Sequence, residues 1–121
     1  MMARRPILLL AAVLLAGFSM IGCDLRRPEI PDMERIQADL IGQSMTNWKF
    51  DSMREFESFE IEETSDFAQI VEYQVRMRLR SIGADAFTAE ARAVVAYRLE
   101  NGHWELVSVS ETGFEPVTPR S

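Results

Sequence analysis

The clearest pattern in the chain is a strict alternation across residues 69–82. Val71, Tyr73, Val75, Met77 and Leu79 fall on one side of an extended backbone, and Glu72, Gln74, Arg76, Arg78 and Arg80 fall on the other. Successive side chains of a strand point to opposite faces, so this spacing predicts a strand with one buried face. A second alternating run covers 87–99, with Phe87, Ala89, Ala91, Ala93, Val95, Tyr97 and Leu99 on one side. Its small central residues leave room for close approach by another element, for which a helix is the candidate. Asn101-Gly102 follows, the strongest short hairpin signal, and the returning strand is expected over 103–110. A two-residue loop sets Leu99 opposite Trp104, Tyr97 opposite Leu106 and Arg98 opposite Glu105. Continued without interruption, it sets Ala96 opposite Val107, Val94 opposite Val109 and Arg92 opposite Glu111. That register leaves an apolar patch of Val94, Ala96, Val107 and Val109 on the outer face.

The rest of the chain is less regular. Met33, Ile36, Leu40 and Ile41 recur at helical spacing, with Glu34, Arg35 and Asp39 opposite them. Asp32 after Pro31 is placed to cap this helix, and Gly42 to end it. Three turns are too few to stand alone in water, so the helix needs a surface to lie on. Over 48–63, Trp48 and Phe50 and then Phe59 and Ile61 alternate with polar residues, which predicts one interrupted strand or two short ones. The acids from Glu55 to Glu63 read as charge protecting a sheet edge. Residues 81–86, with Gly83 and Asp85, form a loop. The simplest register across it sets Arg76 opposite Glu90. The row Arg76, Arg78 and Arg80 then reads as a salt-bridged outer face, with an anion or partner site as the alternative. Residues 111–121 trail off, and 116–121, with Pro116 and Pro119, are expected to be a loose tail.

The first 22 residues have a different character. Arg4 and Arg5 precede an apolar core over 7–15, and small residues follow over 17–22. This is the three-part layout of a secretory signal. The apolar stretch of about 15 residues falls short of the roughly 20 that a spanning helix needs. Met20-Ile21-Gly22-Cys23 resembles the lipobox of bacterial lipoproteins, matching at Gly22 and Cys23, with Met20 where the family usually has Leu. The resemblance implies cleavage before Cys23, acylation of that residue and a lipid-held mature domain. Asp24 stands where enteric lipoproteins carry an inner-membrane retention signal, which implies an inner-membrane location facing the periplasm. Cys23 is the only cysteine, so it has no disulfide partner within the chain. A free core thiol and a twin-arginine signal are the rival readings, and the latter lacks its flanking residues. The domain plan is therefore a leader over 1–22, a tether over 23–31 containing Arg26-Arg27-Pro28, a single domain over 32–115 and the tail.

Charge narrows the partners. Without the leader, thirteen basic residues fall to eleven against nineteen acids, a net charge of about −8. Nucleic acid needs a basic footprint and is excluded as a partner. The same acidity argues against binding anionic headgroups through surface charge, and it is expected to keep a tethered domain soluble and off the bilayer. His103 is the only histidine and sits at the hairpin turn, a poor place for a triad imidazole. No set of His and Cys ligands for zinc exists, the acids of 51–63 lack calcium-loop spacing, and no glycine-rich phosphate loop is present. No metal or cofactor is expected.

One short helix followed by three or four antiparallel strands is an α+β layout. Its element order resembles the cystatin and NTF2-like folds, in which a curved sheet wraps a helix. The leading functional reading is a non-catalytic, membrane-anchored envelope lipoprotein that binds a protein partner, or itself, through the Val94, Ala96, Val107 and Val109 patch. The main alternative is a small-molecule binder with a pocket lined by Trp48, Tyr73, Tyr97 and Trp104. An enzyme in the same cone would need a buried carboxylate, and none of the acids singles itself out. An inhibitor of a hydrolase would need the 81–86 loop as a wedge.

Overall fold

The computed structural model describes residues 27–83 and 86–117. A single helix, α1 (Met33–Leu40), precedes a 3-10 turn at Met53–Glu55 and four strands. These are β1 (Phe56–Asp66), β2 (Ile70–Arg80), β3 (Thr88–Glu100) and β4 (His103–Val117). The strands form one open antiparallel sheet in sequence order. The leader, Cys23 and Asp24 lie outside the described residues, as do residues 118–121 of the expected tail. Among the described residues no helix is long and apolar enough to cross a membrane.

The two central strands form as their alternation requires. Val71, Tyr73, Val75, Met77 and Leu79 of β2, and Ala89, Ala91, Ala93, Val95 and Tyr97 of β3, are all buried on one face. Their pairing runs without interruption from Ile70 opposite Arg98 to Arg80 opposite Thr88. This register differs from the simplest one. Arg76 faces Arg92, and Glu90 faces Arg78, because Ser81 and Phe87 close the loop outside the strands. Ser81 N–H donates to the Phe87 carbonyl at 2.9 Å, and Phe87 N–H donates to Ser81 Oγ at 2.8 Å.

Both edge strands carry β-bulges, and these account for most departures from the sequence pattern. In β1, Phe56 faces Leu79, Phe59 faces Met77 and Ile61 faces Val75, with Glu57 and Glu62 as the extra residues. The expected interrupted strand over 48–63 is instead a turn, a 3-10 turn and one bulged strand. In β4 the hairpin pairs match expectation as far as Tyr97 opposite Leu106. Val107 is then an extra residue, so Ala96 faces Ser108, Val95 faces Val109 and Ala93 faces Glu111. Thr112 is a second extra residue, which puts Gly113 rather than Glu111 opposite Arg92. With those two offsets β4 continues to Val117, well past Ser110 and through Pro116, which sits on an edge where its missing N–H is tolerated.

The hairpin turn has Asn101 at φ +52° and Gly102 at φ +79°, the two consecutive positive values that favour Asn-Gly there. Asp32 caps α1, its carboxylate accepting from Arg35 N–H at 2.8 Å, and Gly42 follows the helix at φ +93°. Ile36 and Leu40 are fully buried beneath it, whereas Met33, expected on the same face, is exposed. The helix lies over the Tyr97 end of the sheet. The helix residues Ile36 and Leu40, the turn residues Met45 and Trp48, and the small residues Ala89, Ala91 and Ala93 of β3 belong to one buried cluster. Asn47 holds Glu111, the partner of Ala93, and the Trp48 ring lies 6.3 Å from that of Phe114, the partner of Ala91.

Candidate functional site

Four aromatic residues were candidates for a pocket lining, and each is buried with its polar atom bonded inside the protein. Tyr73 and Tyr97 meet edge to face at 6.0 Å. Tyr73 Oη donates to the Pro31 carbonyl at 2.6 Å, and Tyr97 Oη donates to Asp39 Oδ2 at 2.8 Å. Trp104 Nε1 donates to the Pro28 carbonyl at 3.1 Å, and Trp48 Nε1 to Glu55 Oε1 at 3.0 Å. Tyr73, Tyr97 and Trp104 thus hold the N-terminal segment and α1 onto the sheet, while Trp48 sits apart against Phe87 and Phe114. Burial raises both phenols above their usual range. Tyr73 is pushed up to about 12, with Asp66 and Asp32 adding to the effect. Tyr97 goes further in the same direction, through burial and then through its bond to Asp39.

The segment expected to be a solvated tether is, from Arg27 onward, part of the fold. Arg27 Nη1 donates to Asp66 Oδ1 at 3.0 Å and to the Ala68 carbonyl at 2.8 Å, and Nη2 pairs with Asp66 Oδ2. Its guanidinium also lies 5.4 Å from the Trp104 ring centre. The ion pair raises the Arg27 pKa. Asp66 is held below the usual carboxylate range by the Arg27 bond and then by the Ala68 N–H. Pro31 is buried, and Ile30 packs against the core. No sequence signal marks this docking, because the partners are 39 and 41 residues away.

Glu55 is a second departure. It was expected on a solvated edge, but it is the one buried charged residue among those described, at 5% exposure. Its carboxylate accepts from Trp48 Nε1 and from Asp51 N–H at 3.2 Å. These bonds occupy it in joining the Trp48 turn to the start of β1. It lies in a run of acids that gives it no distinguishing mark in the sequence. Among the described residues no group of three or more His, Cys, Asp or Glu could hold a metal ion.

The outer face carries a charged half and a neutral half. Arg78 pairs with Glu90 at 3.0 Å and Glu57 at 3.3 Å, Arg80 pairs with Glu57 at 3.4 Å, and Arg76 reaches Glu62 at 3.5 Å and Glu90 at 3.8 Å. Glu57 and Glu62 are the bulge residues of β1, so the bulges turn two carboxylates onto the arginine row. Exposed pairs of this kind contribute little each, so the network organises charge more than it stabilises the fold.

The four residues expected to form an apolar patch do not share this face. Val94 and Ala96 do, beside Ser108 and Ser110. Val107 is exposed at the bulge, and Val109 pairs with Val95 and packs against the core. What remains is a neutral strip of Val94, Val107, Ser108 and Ser110, with Ala96 buried between them. Next to it, Gly113 leaves a gap opposite Arg92, which opens into a groove of about 530 Å³ bordered by Arg76, Glu90, Phe114 and Glu115. His103 is exposed beside the hairpin turn.

No protein-family model matches this chain, and neither curated proteins nor solved structures provide a match. The chain contains a small α+β domain with one short helix packed on an open, four-stranded antiparallel sheet.

Proposed function

We propose that this chain is a bacterial envelope lipoprotein whose α+β domain is a non-catalytic protein-binding module. Acyl chains on Cys23 hold it at a membrane. The observation that carries this reading is the lipobox-like Met20-Ile21-Gly22-Cys23 only four residues ahead of Arg27, where the docked domain begins. Such an arrangement suits a folded body held close to a bilayer. Asp24 favours the periplasmic side of the inner membrane. The partner surface is the neutral strip of Val94, Val107, Ser108 and Ser110. It offers uncharged contact area on a face otherwise occupied by ion pairs, and its charged border would set the orientation of a partner. The domain's order of one helix followed by an antiparallel meander is similar to that of the cystatin and NTF2-like folds.

The test is expression with the native leader beside Cys23→Ala. The expected result is a mass starting at Cys23 plus acyl chains, with membrane association lost in the variant. A photocrosslinker at residue 94 or 108 should then capture an envelope protein or a second copy. An unmodified Cys23 in a soluble product would refute the anchor, and an acylated chain without crosslinks from the strip would refute the partner surface.

A second reading, small-molecule binding, is favoured by the groove beside Gly113 rather than by the aromatic quartet. Gly113→Phe would fill that groove. It should leave crosslinking from residue 94 unchanged if the strip is the functional surface, and should abolish binding if the groove is.

A further inference from the structure

The end of the domain that receives the N-terminal chain also bears the most exposed large apolar side chain among the described residues. Phe67, at the turn between β1 and β2, is 64% exposed, and Ile70 beside it is 40% exposed. The turn is tightly built. Phe67 N–H donates to the Ile70 carbonyl at 2.8 Å, Gln69 N–H to the Phe67 carbonyl at 2.8 Å, and Ala68 N–H to Asp66 Oδ1 at 2.9 Å. Ala68 takes φ +73°, a left-handed value that an alanine adopts only when its surroundings impose it. Phe67 is thus presented to the outside by a fixed backbone. Arg27 grips the two residues that flank it, Asp66 and Ala68.

This grip fixes a distance. Three residues lie between Cys23 and Arg27, which makes four steps along the chain, and an extended chain covers at most about 3.6 Å per step, so the chain can place Cys23 no more than about 14 Å from Arg27. Leu99 N–H donates to the Gln69 carbonyl at 2.8 Å, which brings the 101–102 hairpin to the same level. The 81–87 loop lies a full β2 strand away, about 35 Å at the rise of an extended chain. The cations at the near end are paired, Arg27 with Asp66 and Arg98 with Glu100 at 3.0 Å, and the acids Glu29 and Glu105 are exposed beside them. The surface it suits is therefore a lipid bilayer entered by apolar contact, without electrostatic attraction.

We propose that the 66–70 turn is a membrane-contact site. Phe67, with Ile70 beside it, enters the headgroup boundary of the bilayer that holds the Cys23 acyl chains. The domain then stands with this turn down and the 81–87 loop outermost. The proposal rests on the lipoprotein reading, and the test separates the two. The full chain, made with its own leader and checked by intact mass, is placed in phosphatidylcholine bicelles containing a lipid with a headgroup nitroxide. Amide signals of 67–70 and 101–103 should broaden, and those of 82, 83, 86 and 87 should not. Phe67→Glu should lose the broadening at 67–70 while the acyl mass and bicelle binding persist, and added salt should change neither. If the acylated, bound protein shows equal broadening at both ends, or broadening untouched by Phe67→Glu, the contact site is refuted while the anchor stands. If mass shows Cys23 unmodified and the chain does not bind bicelles, the lipoprotein reading fails and the contact site fails with it.

Discussion

At the scale of single residues, the two tyrosines give the sharpest test of how the domain is held together. They are the only tyrosines in the chain, and both are buried with raised pKa values. A phenol whose folded pKa lies above its unfolded value near 10 keeps its proton more tightly in the folded state. The stability it brings is full below pH 10 and is lost as pH rises toward and past 12. Tyrosinate absorbance should therefore appear only together with loss of the far-ultraviolet sheet signal; absorbance rising near pH 10 in a folded protein would contradict their burial. Tyr97→Phe removes a hydrogen bond to the Asp39 carboxylate and should cost about 2 kcal/mol in denaturant unfolding. Glu55→Leu strips the acceptor from Trp48 Nε1 and Asp51 N–H and should cost about 1–3 kcal/mol, with Glu55→Gln nearer to the native value because it keeps an acceptor.

At the scale of elements, the bulges decide what each edge strand presents. Without the extra residue Val107, Val109 would sit on the outer face; with it, Val109 packs beside Val95 against the core. Val109→Asp should therefore unfold or strongly destabilise the domain, by on the order of 3 kcal/mol, because it places a charge on the core face. Val94→Asp sits on the outer face and should leave the melting temperature nearly unchanged. Equal effects from the two would mean that the register runs straight through residue 107. The central pair β2–β3 has no bulge, and there the alternation gave the correct faces for every residue from Val71 to Leu79. The edge strands could not be read in the same way, since one inserted residue reverses the parity of everything after it.

At the scale of the whole molecule, the chain closes on itself through Arg27. The N-terminal segment, the β1–β2 turn and Trp104 meet there, joining the start of the domain to both sides of the sheet. Arg27→Ala should speed hydrogen exchange of the Trp104 indole and of the Ile30 amide while leaving the central β2 and β3 amides protected. If exchange is unchanged, Pro28 and Pro31 hold the segment without the ion pair. Asp66 gives the same clamp an acid limit. Its lowered pKa means that the contribution is present above the ordinary carboxylate range and is lost as pH falls through the folded value, so the segment should loosen before the sheet unfolds in acid.

Local pattern along the chain was enough for the α+β class, the helix with its Asp32 cap, the two central strands with their buried faces, and the Asn101-Gly102 hairpin. Each of these rests on neighbours within a few positions, where the period of side-chain direction and the φ requirements of a turn act directly. Tertiary structure alone decided the four bulges, the burial of Glu55, the internal bonding of the aromatic quartet and the docking of residues 27–31. Those depend on groups brought together from far apart in the chain, such as Arg27 and Asp66, and on where an edge strand must bend to keep Val109 and Phe114 on the core. Such choices are made by the packing of the assembled sheet, and no local spacing encodes them.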